Sequence, residues 1–167
     1  GRGFETPSFT ELAYRSDGGS GLNTTLKPAR SRSVELGTRI HRGAHVLGFA
    51  MFSTRTDDEL VVAGNLGGRS TYANAARTAR DGWEFSASGP IADRWHYALA
   101  LTRLDARFLG SFAACRAPPC AQPDTVVASG NRLPATADGG WAELRWAPRE
   151  ALDVFLQADA SGRLYAD

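Results

Sequence analysis

The sequence predicts an all-β chain, an antiparallel up-and-down meander of about six strands, on three observations. Apolar and polar residues alternate with period two rather than 3.6 through most of the chain. The 18 glycines and 8 prolines fall largely between the alternating stretches, where the chain must turn. The connections alternate between short turns near residues 42, 91 and 149 and long loops over 10–31, 62–70 and 109–137. Tight turns on one side and long loops on the other are the habit of transmembrane β-barrels. A soluble sandwich or small barrel accounts for the alternation equally well, but less well for the loop asymmetry.

Each strand can be justified in order. Over 33–41, Val34, Leu36, Thr38 and Ile40 fall on one face while Glu35, Gly37, Arg39 and His41 fall on the other, and Arg42-Gly43 follows as a tight turn. The stretch 45–62 sets Leu47, Phe49 and Met51 against Gly48 and Ala50, turns polar from Thr54 to Glu59, and ends in Leu60, Val61 and Val62. A strand of that length outruns a membrane. Asn65-Leu66-Gly67-Gly68 supplies a turn, and a second long run over 69–89 opposes Trp83, Phe85 and Ala87 to Glu84, Ser86 and Ser88.

Pro90 to Arg94 reads as the next short turn. Over 95–108, Trp95, Tyr97, Leu99 and Leu101 share a face that Arg103, Asp105 and Arg107 continue, so the strand leaves the apolar zone there. The segment 109–137 is loop-like, rich in Ala, Pro, Ser and Gly. Beyond it Ala142, Leu144 and Trp146 alternate with Glu143 and Arg145, Pro148-Arg149-Glu150 turns the chain, and Leu152, Val154, Leu156 and Ala158 alternate with Asp153, Gln157 and Asp159. Trp95, Tyr97, Trp141 and Trp146 are the candidates for an aromatic girdle at a membrane interface.

Composition narrows the function classes. The 167 residues carry 19 Lys and Arg against 18 Asp and Glu, a balance that gives no electrostatic footprint for nucleic acid. No apolar run approaches the roughly 18 residues of a transmembrane helix, whereas 43% hydrophobic residues suit strands that alternate lipid-facing and lumen-facing positions. The two cysteines, Cys115 and Cys120, enclose Arg-Ala-Pro-Pro in a loop, a spacing open to a small disulfide ring in an oxidising compartment or to two free thiols. They lack the two further ligands a zinc site needs nearby. The opening residues have neither the pattern of a leader nor an initiator Met, so the chain reads as a fragment.

Several phrases carry a family resemblance. Gly3-Phe4-Glu5-Thr6-Pro7 through Glu11-Leu12 resembles the "G-F-x-x-P-x-x-x-E-L" stretch of TonB-dependent receptors, where a strand reaches the cell surface and enters a loop. Leu26-Lys27-Pro28-Ala29-Arg30-Ser31 followed by Val34-Glu35-Leu36-Gly37 is similar to the "L-x-P-E-x-S-x-x-x-E-x-G" phrase that opens that family's next strand. Asp58-Glu59-Leu60-Val61, Tyr72-Ala73-Asn74-Ala75, Thr78 and Gly82-Trp83-Glu84 then follow in the family's order and spacing, so the resemblance covers at least residues 1–108. Ala29 stands where Glu is common, and Pro28-Ala29-Arg30-Ser31 resembles the subgroup that includes siderophore and pyrroloquinoline quinone receptors. Haem receptors of the family commonly carry a His between their two loop phrases. None lies between Phe4 and Pro28 here.

The resemblance implies that residues 1–167 are part of the second half of a 22-stranded barrel in the outer membrane of a Gram-negative bacterium. An N-terminal plug and the closing strands are expected to lie outside this chain, whose last residues to Asp167 lack the terminal aromatic such barrels use in assembly. It further implies energised import: a scarce small-molecule or metal-chelate ligand, such as a ferric siderophore, binds outside, and the TonB complex acts through the plug. The partners are then outer-membrane lipid, that ligand and TonB, with no nucleic acid, and no cofactor is implied. The alternatives are a passive porin-like channel and a soluble β-rich binding module.

Within that reading the positions for ligand contact are Tyr14, Arg15, Asn65, Arg69 and Tyr72, in the loops and upper lumen. Arg grips carboxylates through two parallel hydrogen bonds, and Tyr offers a stacking face with a hydroxyl, which suits an anionic organic ligand or an iron chelate. The bland alternative is that they are ordinary loop residues. Glu35, Arg39, Glu84, Glu143 and Arg145 are read as a mutual ion-pair network or plug contacts. His41 and His45 flank a turn among Arg residues and read as solvated rim rather than metal ligands, and Asp57-Asp58-Glu59 as a solvated face or partners of Arg. No catalytic motif is present, so catalysis and a metal centre are not expected.

Overall fold

The computed structural model describes residues 1–75, 77–117, 119–135 and 137–163, with the backbone alone at Leu66. The expectation about the chain's closing aromatic concerns 164–167, outside the described residues. In chain order the elements are β1 (Arg2–Glu5), α1 (Phe9–Leu12), β2 (Ala29–Arg42), β3 (His45–Asp57), β4 (Leu60–Leu66), β5 (Arg69–Asn74), β6 (Arg77–Ala92), β7 (Trp95–Phe108), β8 (Phe112–Ala114), β9 (Thr125–Val127), β10 (Asp138–Arg149) and β11 (Leu152–Ser161). Seven of them form one antiparallel sheet, ordered β1-β2-β3-β6-β7-β10-β11, while β4–β5 and β8–β9 are separate hairpins inserted in long loops. The chain is therefore an up-and-down meander with six long strands.

Strand pairing aligns the faces. Leu36 stands opposite Met51, Met51 opposite Trp83, and Trp83 opposite Arg103. Thr38, Phe49, Phe85 and Leu101 form the row below. With period-two alternation these rows share one face. That face is left bare: Val34 and Leu36 are each 74% exposed, Met51 50% and Leu156 72%. A contiguous apolar sheet face in contact with water is a liability for a soluble monomer, and it is what lipid would cover. From His45 to Met51 the apolar run is roughly 20 Å of strand at about 3.3 Å per residue, close to the ~25 Å band of outer-membrane barrels.

The opposite face carries Glu35, Gly37, Arg39, Gly48, Ala50, Glu84, Ser86, Ala100 and Thr102 around a shallow depression. Small residues there let long ones lie across the sheet. A side chain at Gly82 would run into the Phe52 ring and the Arg103 carbonyl, which gives Gly82-Trp83-Glu84 a packing reason for its glycine.

Three two-residue turns close one end of the sheet, at 43–44, 93–94 and 150–151. Gly43 adopts φ 60° and Arg94 φ 68°. The middle turn comes later than Pro90 suggests. Proline has no N–H for the ladder, and the strand accommodates it through a register shift between Pro90 and Ala92, then runs on to Ala92.

The expected single strands over 45–62 and 69–89 are each two elements. Asp58, at φ 56°, breaks the first between β3 and β4. Aspartate tolerates this left-handed conformation better than most residues. The β4–β5 hairpin then closes through Gly67 and Gly68 at φ 59° and 76°, the positive values its tight turn demands. Trp141 also departs from expectation: it pairs with Ala100 and Asp159 and shares the face of Glu143 and Arg145, away from the apolar girdle.

Burial gathers at the long-loop end. Ala75, Ala106, Phe108 and Leu133 form the buried cluster, with Val61, Leu104, Phe112 and Val127 packed against it. Ala106 and Phe108 have the parity of Thr102, so the inserted hairpins fold over the polar face.

Candidate functional site

Three loop segments are stitched together above the polar face. The first begins at α1, whose N-terminus is fixed by a capping box: the Ser8 hydroxyl accepts from the Glu11 amide at 3.4 Å, and the Glu11 carboxylate accepts from the Ser8 amide at 2.6 Å. Asn23 is buried and ties this segment to β5. Its side-chain amide donates to the Tyr72 carbonyl at 3.1 Å, while its own carbonyl accepts from the Thr25 hydroxyl at 2.6 Å. Asn74 repeats the device, accepting from the Lys27 amide at 2.9 Å and donating to the Lys27 and Asp58 carbonyls at 2.8 Å.

The second segment is the β4–β5 hairpin. Glu59 anchors it to β6: its carboxylate accepts from Arg80 Nη1 at 2.9 Å, from Arg80 Nη2 and from the Thr78 hydroxyl. Burial pushes the Glu59 carboxyl up, but the hydrogen bonds from Arg80 and Thr78, with the Arg80 charge, outweigh it and hold the group below the ordinary carboxylate value. Asp57 pairs with Arg77 at 3.6 Å. Two members of the Asp57-Asp58-Glu59 run thus serve Arg partners, and Asp58 makes the strand break.

The third segment, 109–137, carries the β8–β9 hairpin and a disulfide between Cys115 and Cys120. Its Cys120 backbone meets Asn65 in a two-bond bridge, Asn65 N to Cys120 O at 2.8 Å and Cys120 N to Asn65 O at 2.7 Å. The ring thus braces the tip of the second segment.

Where these segments meet lies a cleft of about 380 Å³ lined by Asp17, Asn65, Arg69, Thr71 and the Cys120–Ala121 backbone. Arg69 lies over the Tyr14 ring, 5.3 Å from its centroid, a cation–π contact that fixes the guanidinium at the cleft edge. Of the five residues singled out in the sequence, the structure brings Tyr14, Asn65 and Arg69 together. Arg15 is turned to Asp17 at 2.8 Å. Tyr72 contributes its carbonyl to Asn23 and alternates away from Thr71, which lines the cleft. Sequence reasoning passed over Asp17, Asn23 and Asn74. The Asn-Thr-Thr and Tyr-Ala-Asn phrases were the available signals, but their partners are 49 and 47 residues away.

The charges on the polar face do not form one network. Arg145 pairs with Asp153 at 2.5 Å and Gln157 donates to Glu143 at 2.6 Å. Glu35, Arg39 and Glu84 have no ion pair or hydrogen bond among the described residues, since the register sets Glu35 beside Phe52, Arg39 beside Gly48 and Glu84 beside Ala50 and Thr102. His41 and His45 fall on opposite faces by parity and cannot converge on one ion. His45 instead packs on Tyr97, with ring centroids 6.1 Å apart and Nδ1 3.4 Å from the hydroxyl. No group of three or more His, Cys, Asp or Glu suited to a metal occurs among the described residues.

Comparison with known proteins accords with this architecture. A family profile described as "TonB dependent receptor-like, beta-barrel" matches residues 1–162. The probable TonB-dependent siderophore receptor PiuA of Acinetobacter baumannii is 26% identical over 150 residues, covering 87% of this chain and 19% of that protein. The solved alcaligin outer membrane receptor FauA of Bordetella pertussis superposes with a TM-score of 0.53 at 19% identity, over 97% of this chain and 26% of that one. The chain thus spans about a fifth to a quarter of the length of these relatives. The bare apolar belt and the β-barrel receptor family match place it in the outer membrane of a Gram-negative bacterium. By the match over residues 1–162, the chain belongs to the TonB-dependent receptor-like β-barrel family.

Proposed function

We propose that residues 1–167 are a section of the barrel of a longer outer-membrane receptor that imports a scarce small ligand, a ferric siderophore or a similar anionic organic molecule, with energy delivered through TonB. The observation that carries this reading is the cross-braced loop assembly over the polar face. A passive pore is served by an open mouth, whereas Asn23, Asn74, the Glu59–Arg80 pair and the Cys120–Asn65 bridge hold a roof with a built cleft. A preorganised site of this kind lowers the ordering cost of binding. The receptor names of the relatives agree with it.

In this reading Arg69, seated on Tyr14, presents a cation to the ligand, and Asn65 and Asp17 supply further polar contacts. Glu35, Arg39 and Glu84 face inward without partners of their own among the described residues and are available to a plug domain seated in the lumen. The work of the chain is binding and passage, with no catalytic step.

The test is growth of an iron-limited Gram-negative strain dependent on the full-length parent receptor, supplied singly with a panel of ferric siderophores. Growth on at least one of them that disappears when tonB is deleted is the expected result. Uptake that persists without TonB would make the protein a passive channel. Failure on every chelate, with the receptor present in the membrane, would remove the siderophore assignment.

A further inference from the structure

We infer that the apolar recess on the far side of the Cys115–Cys120 ring from the Arg69 cleft holds a hydrocarbon tail of the imported ligand. The ligand class is then an amphiphile, an anionic chelating head carrying a linear acyl chain. The inference rests on the import reading and adds the ligand's shape to it.

The recess is a cavity of about 450 Å³ between the β4–β5 and β8–β9 hairpins. Its walls include Val61, Phe108, Phe112 and Val127, which form or pack against the buried cluster of the roof. The Phe108 and Phe112 rings lie 4.8 Å apart between centroids at 58°, a tilted contact that aromatic pairs favour and that fixes the floor. Val62, at the margin, is 50% exposed.

Lipid does not account for this apolar surface. Phe108 has the inward parity of Thr102, and the hairpins fold over the polar face, away from the belt. An apolar cavity beside a few placed polar groups, on the water side of a receptor, is the usual form of a small-molecule site.

The position of the recess relative to the cleft sets the shape of the ligand. Cys115 lines the recess and Cys120 the cleft, with their Cα atoms 5.9 Å apart. On β4, Val62 lines the recess and Gly64 the cleft. A side chain at Gly64 would meet the Thr71 hydroxyl at 2.8 Å and the Cys120 carbonyl at 3.2 Å. Glycine there lets the ring lie close against β4, which keeps both sites within reach of one small molecule. Arg69 stands at the cleft and Arg116 at the recess, and Arg116 makes no ion pair among the described residues. Cations beside an apolar cavity complement a molecule whose charge and hydrocarbon are segregated. A compact, uniformly polar chelate would leave the recess against water, without the gain of burying it.

The experiment measures binding of ferric citrate-centred dihydroxamates to the purified full-length parent receptor in lipid nanodiscs. The chelates bear one linear acyl group, from acetyl through butanoyl, hexanoyl and octanoyl to dodecanoyl. Affinity is expected to rise roughly threefold per methylene and to level off once the recess is filled. Thr125 lines the recess and stands opposite Ala114 on the face of Phe112 and Val127. T125W, which fills the recess, is expected to flatten the series. F112A, which removes a wall, is expected to weaken the octanoyl member about fivefold and to move the plateau to longer chains. Heat-modifiable migration on gels checks that each variant barrel is folded, and T125W, at a half-buried position, stands in where F112A does not assemble. Octanoate, which lacks the head, is not expected to displace the octanoyl chelate at equal concentration. A flat series in the wild type, a rise that T125W leaves intact, or displacement by octanoate would overturn the inference. A flat series with the acetyl member bound and TonB-dependent growth retained would overturn it and leave import standing, whereas loss of both binding and growth across the series would remove the import reading with it.

Discussion

Trp95 and Trp146 stack across β7 and β10, with ring centroids 5.6 Å apart and planes 16° from parallel. They are register partners at the short-turn end of the sheet, next to the Arg94 guanidinium that donates to the Pro148 carbonyl. Indole rings favour the membrane–water interface, and offset-stacked pairs are worth roughly 0.5–1.5 kcal/mol beyond the area they cover. A double-mutant cycle on Trp95→Ala and Trp146→Ala, read by denaturant unfolding of the full-length receptor in lipid bilayers, is expected to return a coupling of that size. Additive effects of the two changes would mean that the rings do not interact in the membrane.

The assignment of faces makes a sharper demand. Phe49 lies mid-band on the apolar face, between the rows of Leu47 and Met51, and Thr102 on the polar face of a neighbouring row. Phe49→Arg is expected to destabilise the receptor by roughly 2–4 kcal/mol, the cost of a cation at the bilayer midplane. Thr102→Arg places the same charge against water-accessible polar groups, with an expected effect below about 1 kcal/mol. Similar losses in the same bilayer unfolding assay would sink the lipid-facing assignment.

These faces are the part of the fold most legible in sequence. Val34 to Ile40 and Leu144 to Leu156 alternate cleanly because each residue meets either lipid or water, and side-chain parity alone decides which. The long runs 45–62 and 69–89 were less legible. Leu60, Val61 and Val62 look like a continuation of β3, and only the backbone at Asp58 reveals the break; their apolarity serves the cluster around Phe108 and Ala75 instead. In the candidate site, Tyr14 and Arg69 are residue types suited to ligand contact, and the fold sets them together. The Glu59–Arg80 pair and the Asn74–Lys27 bonds depend on a loop folding back over the sheet, which no local pattern encodes.

Glu59 gives that roof a pH dependence. Its carboxyl is held below the ordinary value in the folded protein, so its contribution is present above the unfolded pKa, roughly 4.3, and is lost as pH falls through the lowered folded value. Hydrogen exchange of the Ala75 amide, which donates to the Glu59 carbonyl at 2.6 Å, is the local readout. Protection, corrected for intrinsic rate, is expected to hold at neutral pH and fall in acid before the sheet strands lose theirs. Glu59→Gln is expected to lower the opening free energy at neutral pH by about 1–2 kcal/mol. If the variant and the wild type keep the same protection at pH 7, the carboxylate does not anchor the hairpin.

The Cys115–Cys120 ring spans a sequence separation of 5, so loop-closure entropy limits its contribution to roughly 2 kcal/mol. That is small for a barrel but large for one loop. Replacing both cysteines with serine is expected to increase protease cleavage within 109–137 and exchange at the Asn65 amide, which bonds to Cys120, while leaving the unfolding midpoint of the barrel within a few degrees. A collapse of the midpoint would assign the disulfide to the fold as a whole rather than to the roof.

Arg69 joins the roof to the proposed ligand. Its guanidinium gains from the Tyr14 face about 0.5–1 kcal/mol at an exposed site, enough to bias its position but too little to hold the loops, which Asn23, Asn74 and Glu59 secure independently. Arg69→Ala is therefore expected to leave loop protection and barrel stability near wild type while weakening binding of an anionic chelate by tenfold or more, the loss of one charge-assisted contact of about 1.5–3 kcal/mol. Tyr14→Phe keeps the ring and is expected to retain most of the affinity, whereas Tyr14→Ala frees the guanidinium and gives an intermediate loss. Tyr72→Phe, altering a side chain that alternates away from the cleft, serves as the control. Titration of the purified receptor with the chelate that supports growth measures all four, and a greater loss in Tyr72→Phe than in Arg69→Ala would move the site out of this cleft.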